Sequence, residues 1–209
     1  MFATSKLFVL LLAVWLVGVF PDKEADTPSN EGPEYTADAQ LKLPEHYREW
    51  VYLTSDFYAV SDPAKMQTGE QRKFNNIFVD PAAYRAFLHS GTWPDKTMLV
   101  VEQRAADDIG SNNPNQKGTA QSSEMGLAVH VKDETRFPGK WAFFGFHGAD
   151  TTGKMIPATA GCDSCHAAHG AADTTFVQFY PTLLPIAASK NTLSPAYVRE
   201  HESLRGTAK

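Results

Sequence analysis

Gly126-Leu127-Ala128-Val129-His130-Val131-Lys132 and Lys140-Trp141-Ala142-Phe143-Phe144-Gly145-Phe146, joined by a turn through Phe137-Pro138-Gly139, form the stretch on which the fold class turns. In the first run Leu127, Val129 and Val131 alternate with Ala128, His130 and Lys132, the period of a strand with one apolar face. That places His130 on the opposite face, where solvent is the expectation. The second run is apolar on both faces, so it is expected to be buried on both and to wall a bound group. Two β-type runs around a Pro-Gly turn argue for antiparallel pairing.

Towards the N-terminus, Trp93-Pro94-Asp95 precedes a β-branched, apolar strand over 97–104, and Phe74 to Val79 reads as another strand, ended by Asp80-Pro81. Asp80 suits an N-cap, Pro81 a first helical position and Gly91 a stop, while Tyr84, Phe87 and Leu88 share a face, which predicts a helix over Pro81 to Ser90. Tyr47, Trp50 and Val51 recur at helical spacing and predict a first helix from Pro44 to Leu53. The Gly, Asn, Ser and Gln rich segment 107–123 reads as a long exposed loop. In the other direction a Gly and Thr rich connector spans 147–161, 175–180 reads as a strand or extended segment, and the polar tail is expected to be loosely held. The sum is an α+β domain, mainly antiparallel β-sheet with a few short helices.

A chain of 209 residues, 43 % apolar and 11 % aromatic, fits one well-filled core with tails. Its formal charge of −5, without any lysine and arginine run interleaved with aromatics, sets nucleic acid aside as a partner. Lys6 followed by the apolar run Leu7 to Phe20 has the pattern of an export signal, shorter than the roughly 17–25 residues of a spanning helix, so membrane contact is expected only through 7–20, if that segment is retained. Residues 21–40 are acidic and poor in large apolar side chains, the composition of a disordered linker. The divisions are an export signal or anchor at 1–20, linker at 21–40, domain at 41–186 and tail at 187–209.

Near the C-terminal end lies Cys162-Asp163-Ser164-Cys165-His166, which holds the two cysteines of the chain. Two thiols three positions apart with a histidine directly after the second read as one covalently attached haem c, linked through Cys162 and Cys165 and ligated by His166, which completes the fold class as one with a C-terminal haem c attachment motif. Three other chemistries use the same residues. They are a zinc site completed by His169 or His147, a Cys-X-X-Cys redox pair, and a structural disulfide.

Under the haem reading the sixth position decides function. The methionines are Met1, Met66, Met98, Met125 and Met155, none of them after His166, and Met155 reads as a core or loop residue. His169, three residues after His166, falls on the same helical face and reads as a haem-edge residue. The expectation is five-coordinate iron with an apolar pocket, suited to small neutral ligands such as nitric oxide or carbon monoxide. Phe74, Phe78, Phe143 and Phe146 are the distal-pocket candidates.

The chain resembles the cytochrome P-460 and cytochrome c′-β family. The resemblance rests on Leu43-Pro44-Glu45-His46-Tyr47-Arg48-Glu49-Trp50, Val79-Asp80-Pro81-Ala82-Ala83-Tyr84, Trp93-Pro94-Asp95, Arg136-Phe137-Pro138-Gly139, Trp141-Ala142-Phe143-Phe144, the cysteine motif and Phe176-Val177-Gln178-Phe179-Tyr180-Pro181, in family order. It implies a homodimeric, mainly β haem c protein with an open distal site, exported to the bacterial periplasm, while the sequence names no redox partner protein. The family's P-460 enzymes oxidise hydroxylamine, with nitric oxide chemistry, on a haem also cross-linked to a lysine, whereas its c′-β members lack that link and bind nitric oxide or carbon monoxide. The position matching the lysine is Val101, so the resemblance implies a gas-binding or redox haem protein, with hydroxylamine or nitric oxide oxidation and a dedicated electron carrier as the other readings. Lys96 and Lys73 are nearby lysines, and Lys96, in a turn, reads as a solvated charge.

Overall fold

The computed structural model describes residues 32–58, 72–110 and 117–207. The segment expected to direct export lies outside the described residues, as does most of the expected linker. Seven strands form one antiparallel sheet in the order β1-β7-β6-β5-β4-β3-β2. They are β1 (Leu41–Lys42), β2 (Val51–Tyr58), β3 (Lys73–Val79), β4 (Met98–Gly110), β5 (Lys117–Lys132), β6 (Trp141–His147) and β7 (Thr152–Met155). Four helices accompany them, α1 (Pro81–Ser90), α2 (Cys162–His169), α3 (Leu184–Ser189) and α4 (Pro195–Thr207).

The expected hairpin is present as β5 and β6, with Val129 opposite Phe144 and His130 opposite Phe143. Its turn closes through Asp133 N–H to the Lys140 carbonyl at 2.7 Å, with Lys140 in left-handed backbone (φ 67°). Alternation along the strands builds two cores. Leu127, Val129, Val131, Ala142, Phe144 and Phe146 fill one face together with Met98, Val100, Tyr47 and Leu41. Leu53, Ile77, Val79, Leu99 and Trp141 fill the other, against Phe87, Trp93, Val177, Leu183 and Tyr197. Helix α1 has the expected ends. The Asp80 carboxylate accepts from Ala83 N–H at 2.7 Å, and Gly91 closes the C-terminus in left-handed backbone (φ 75°), its N–H donating to Phe87.

Several expectations are corrected. The predicted helix over Pro44 to Leu53 is a single 3-10 turn, Tyr47–Glu49, entered through His46 in left-handed backbone, followed at Val51 by edge strand β2. Val51 and Leu53 face one core at the strand period, so pairing with β3 overrides the helical spacing. The predicted loop 107–123 is largely strand. Asp107 pairs with Ala120 and Ile109 with Gly118, a ribbon that shows no apolar alternation because main-chain bonds and surface pairs such as Arg72–Asp108 hold it. The connector 147–161 contains β7, and the predicted strand at 175–180 is a 3-10 turn, Val177–Phe179.

Ordered packing also begins before Leu41 and continues past Ile186. Tyr35 bridges to Leu41 and packs on Phe137 and Phe144, so the linker reading fails for 32–40. The tail forms α3 and α4, and Ala187 and Tyr197 are buried in the core. Ser194 caps α4 by accepting from Tyr197 N–H at 3.2 Å, while its own hydroxyl donates to the Gly170 carbonyl at 2.7 Å, next to the cysteine helix.

Candidate functional site

Helix α2 carries the cysteine motif on the face of the sheet that presents Leu99, His130 and Phe143. Gly161 opens it at φ 82°, a conformation other L residues avoid. Cys162, Cys165 and His166 stand at i, i+3 and i+4 and so share one side of the helix. The two thiols are unjoined, Cys162 half-buried and Cys165 exposed. Of the helix that carries them, Asp163, His166 and Ala167 line the neighbouring cleft.

His166 is the fixed point of the site. Its Nδ1 lies 2.9 Å from the carbonyl of Thr174. A carbonyl can only accept, so Nδ1 carries the proton and Nε2 keeps its lone pair. Burial lowers its pKa, against the Thr174 contact and Asp163, which raise it, and the neutral ring is favoured. Phe176, Phe143 and His130 surround the imidazole, with ring centroids 4.3, 4.8 and 4.9 Å away.

His130 corrects its expected exposure. It occupies the face that alternation assigns, opposite Val129, but α2 and its following loop cover that face and leave it 6 % exposed. Its ring stacks on Phe143 at 4.0 Å and lies 4.2 Å from Trp141, and burial holds its pKa well below the ordinary value, helped by His166. Its Nε2 and the indole Nε1 of Trp141 are buried polar atoms with no partner among the described residues.

Beside these rings opens a cleft of about 660 Å³ lined by His130, Trp141, Phe143, Ile156, Arg136 and His166, among others. The volume is in the range of sites for sizeable cofactors. An apolar cleft, two free thiols on its bordering helix, an imidazole with Nε2 unengaged and two orphaned polar atoms fit a haem.

The predicted distal residues divide. Phe143 belongs to the site, but on the imidazole's own side. Phe78 and Phe146 pack in the core of the opposite sheet face, and Phe74 pairs with Phe57 on that same face. His169 reaches Glu200 of α4, with Nδ1 3.7 Å from the carboxylate. His147 is exposed at the end of β6, and among the described residues no group of three or more His, Cys, Asp or Glu is arranged to hold a metal ion. Met155, predicted as core or loop, is 55 % exposed at the end of β7 and lines the cleft. Met98 and Met125 pack on the far face. Lys96, predicted to be solvated, is ion-paired with Asp133, while Lys73 is exposed.

Val101 lies opposite Ile77 and Ala128, on the sheet face that carries His130, and is half-buried. Sequence reasoning did not find Thr174, Phe176, Lys132 or Asp173. Lys132 had one signal, since alternation placed it on the same face as His130.

A family model described as Cytochrome P460 matches residues 44–177, well over half of the chain. No curated protein matches it. The chain belongs to the cytochrome P460 family and is a haem cytochrome with a mostly antiparallel sheet and a few short helices.

Proposed function

We propose that this member of the cytochrome P460 family is an exported monohaem c-type cytochrome that binds nitric oxide or a similar small neutral ligand and passes electrons. The observation that carries the reading is the seat of His166, whose Nδ1 is engaged by Thr174 while Nε2 remains the ring's available donor. Cys162 and Cys165 would hold the haem through thioether bonds, and His166 would ligate its iron. The haem supplies a redox-active iron with a position for a diatomic ligand. The cleft walls are mostly apolar, with Arg136 and Asp163 the charged exceptions.

Two features support five-coordination, although Met155 lines the cleft: Met98 and Met125 are packed on the far sheet face, and His169 is drawn to Glu200. Val101, where the related enzymes carry a cross-linking lysine, favours ligand binding over hydroxylamine oxidation. The apolar run at 7–20 supports export to the periplasm, and the family resemblance supports a homodimer.

A reduced pyridine haemochrome spectrum of protein expressed with cytochrome c maturation tests the attachment. The two-thioether spectrum is expected, reverting towards a single thioether in Cys162→Ala; absence of haem would sink the reading. Ferrous protein should bind carbon monoxide and nitric oxide in proportion to haem, and hydroxylamine oxidation should not exceed a free-haem control.

A further inference from the structure

The loop that supplies the acceptor for His166 is anchored from the sheet by a charge pair between a buried lysine and a partly buried aspartate. Asp173 and Thr174 both hold left-handed backbone, φ 47° and 55°, which non-glycine residues keep only where their surroundings over-determine them. The surroundings come from β5. Lys132, 5 % exposed, donates from Nζ to the Trp93 carbonyl at 2.6 Å and to Asp173 Oδ2 at 2.7 Å. The same Oδ2 accepts from Trp93 N–H at 3.2 Å, and Trp93 Nε1 donates to Thr175 Oγ1 at 2.8 Å. Asp173 and Thr175 are therefore each tied to the Trp93 strand entry, and Thr174 lies between them with its carbonyl on His166.

An ion pair with a buried lysine is a poor device for stability alone, because desolvating the ammonium cancels much of the attraction to Asp173 and to Glu134, whose Oε1 lies 3.5 Å away. The placement of this pair is better accounted for by what it positions. We infer that Lys132 and Asp173 are positioning residues for the axial histidine: they clamp the strained Asp173–Thr174 turn so that the Thr174 carbonyl meets His166 Nδ1, fixing the ring's tautomer, its orientation and its strength as a donor. This rests on the reading of His166 as the axial ligand. A well-made Nδ1–H to carbonyl bond makes the imidazole more basic and favours the ferric state, and a loosened one does the opposite.

The test uses the haem-loaded protein with Lys132→Met or Asp173→Asn, measured by midpoint potential and by the iron–histidine stretching band of the ferrous form. Both variants are expected to raise the potential, by about tenfold in the ferrous-to-ferric preference or ~59 mV for one electron, and to lower the band frequency. Asp173→Asn keeps the lysine's bond to Trp93 and serves if Lys132→Met does not fold. His166→Gly separates the two claims. If the band survives in that variant, the axial assignment fails. If the band is lost there but both potential and band are unmoved in folded Lys132→Met or Asp173→Asn, the positioning role fails alone. Failure of both variants to fold would make the pair a structural one and overturn the inference.

Discussion

Replacing Gly170 with alanine tests whether the space between α2 and the Thr174 loop is as tight as the site requires. Gly170 is buried and its backbone is ordinary (φ −65°, ψ 130°), so alanine brings no conformational strain. The added Cβ would lie 2.6 Å from the His166 carbonyl oxygen, 2.8 Å from Thr174 C and 2.9 Å from Thr175 N, all backbone atoms. Against an ordinary contact of 3.4 Å the shortfalls are 0.8, 0.6 and 0.5 Å. Helix and loop must separate. A shift of ~0.6 Å along the bond would carry the 2.9 Å His166–Thr174 contact to ~3.5 Å, the edge of hydrogen bonding. Overpacking costs about 1–3 kcal/mol and the lost bond about 0.5–1.5 kcal/mol, together roughly 2–4 kcal/mol. For a domain of this size that lowers the melting temperature by about 4–16 °C. Thermal unfolding followed by circular dichroism reads the cost, and the ferrous haem spectrum reads the histidine. Gly139→Ala is the control, since nothing lies within 4 Å of its added methyl. A Gly170→Ala protein that melts with the wild type and keeps its spectrum would refute the reasoning.

Two further outcomes are expected. Val101→Lys places an amine on the sheet face that carries His130, and the family resemblance then predicts a strongly red-shifted ferrous Soret band; an unchanged spectrum would mean that Val101 does not face the haem edge. Glu102, 4 % exposed, would have a raised pKa from burial, but hydrogen bonds from Arg104, Tyr47 and Arg48 outweigh burial and hold its carboxyl below the ordinary 4.5. Because the folded value is the lower one, the unfolded chain protonates first on acidification, so this stabilisation is complete above the unfolded pKa and is lost as pH falls through the folded one. Urea unfolding should show wild type more stable than Glu102→Gln by ~1–3 kcal/mol at neutral pH, the gap closing as pH falls from about 5 towards 3. A gap that stays constant would contradict the ion cluster.

What could be read in the sequence was set locally. Helix α1 has its cap, first-turn proline and glycine stop within twelve consecutive positions, Asp80 to Gly91, and all three act as expected. The thiols and His166 share a helix side because their spacing alone puts them there. The errors fall where a distant partner decides. The spacing of Tyr47, Trp50 and Val51 suits a helix, but β3 offers Val51 a ladder partner at Val79. The ribbon beyond Ala106 needs no apolar pattern, since each strand completes the other's hydrogen bonds.

His130 shows why the surroundings of His166 were harder to read than the helix that carries it. Alternation assigned its side of the strand correctly, and the error was to equate the side opposite Val129 with solvent. The sheet has cores on both faces, and one of them is closed by chain from 161 onwards that no strand period announces. The same reversal applies to Lys132, two positions along. In a half-solvated sheet it would be an unremarkable surface charge. Here it is buried, and its ammonium must have found the Trp93 carbonyl and Asp173 for the fold to tolerate it. The phenylalanines follow the same logic. Phe143 shares the parity of Trp141 and meets His166, whereas Phe146 shares that of Phe144 and cannot reach it. The aromatic shell of Phe143, His130 and Phe176 thus forms around the imidazole of His166, and the phenylalanines of the other sheet face take no part in it.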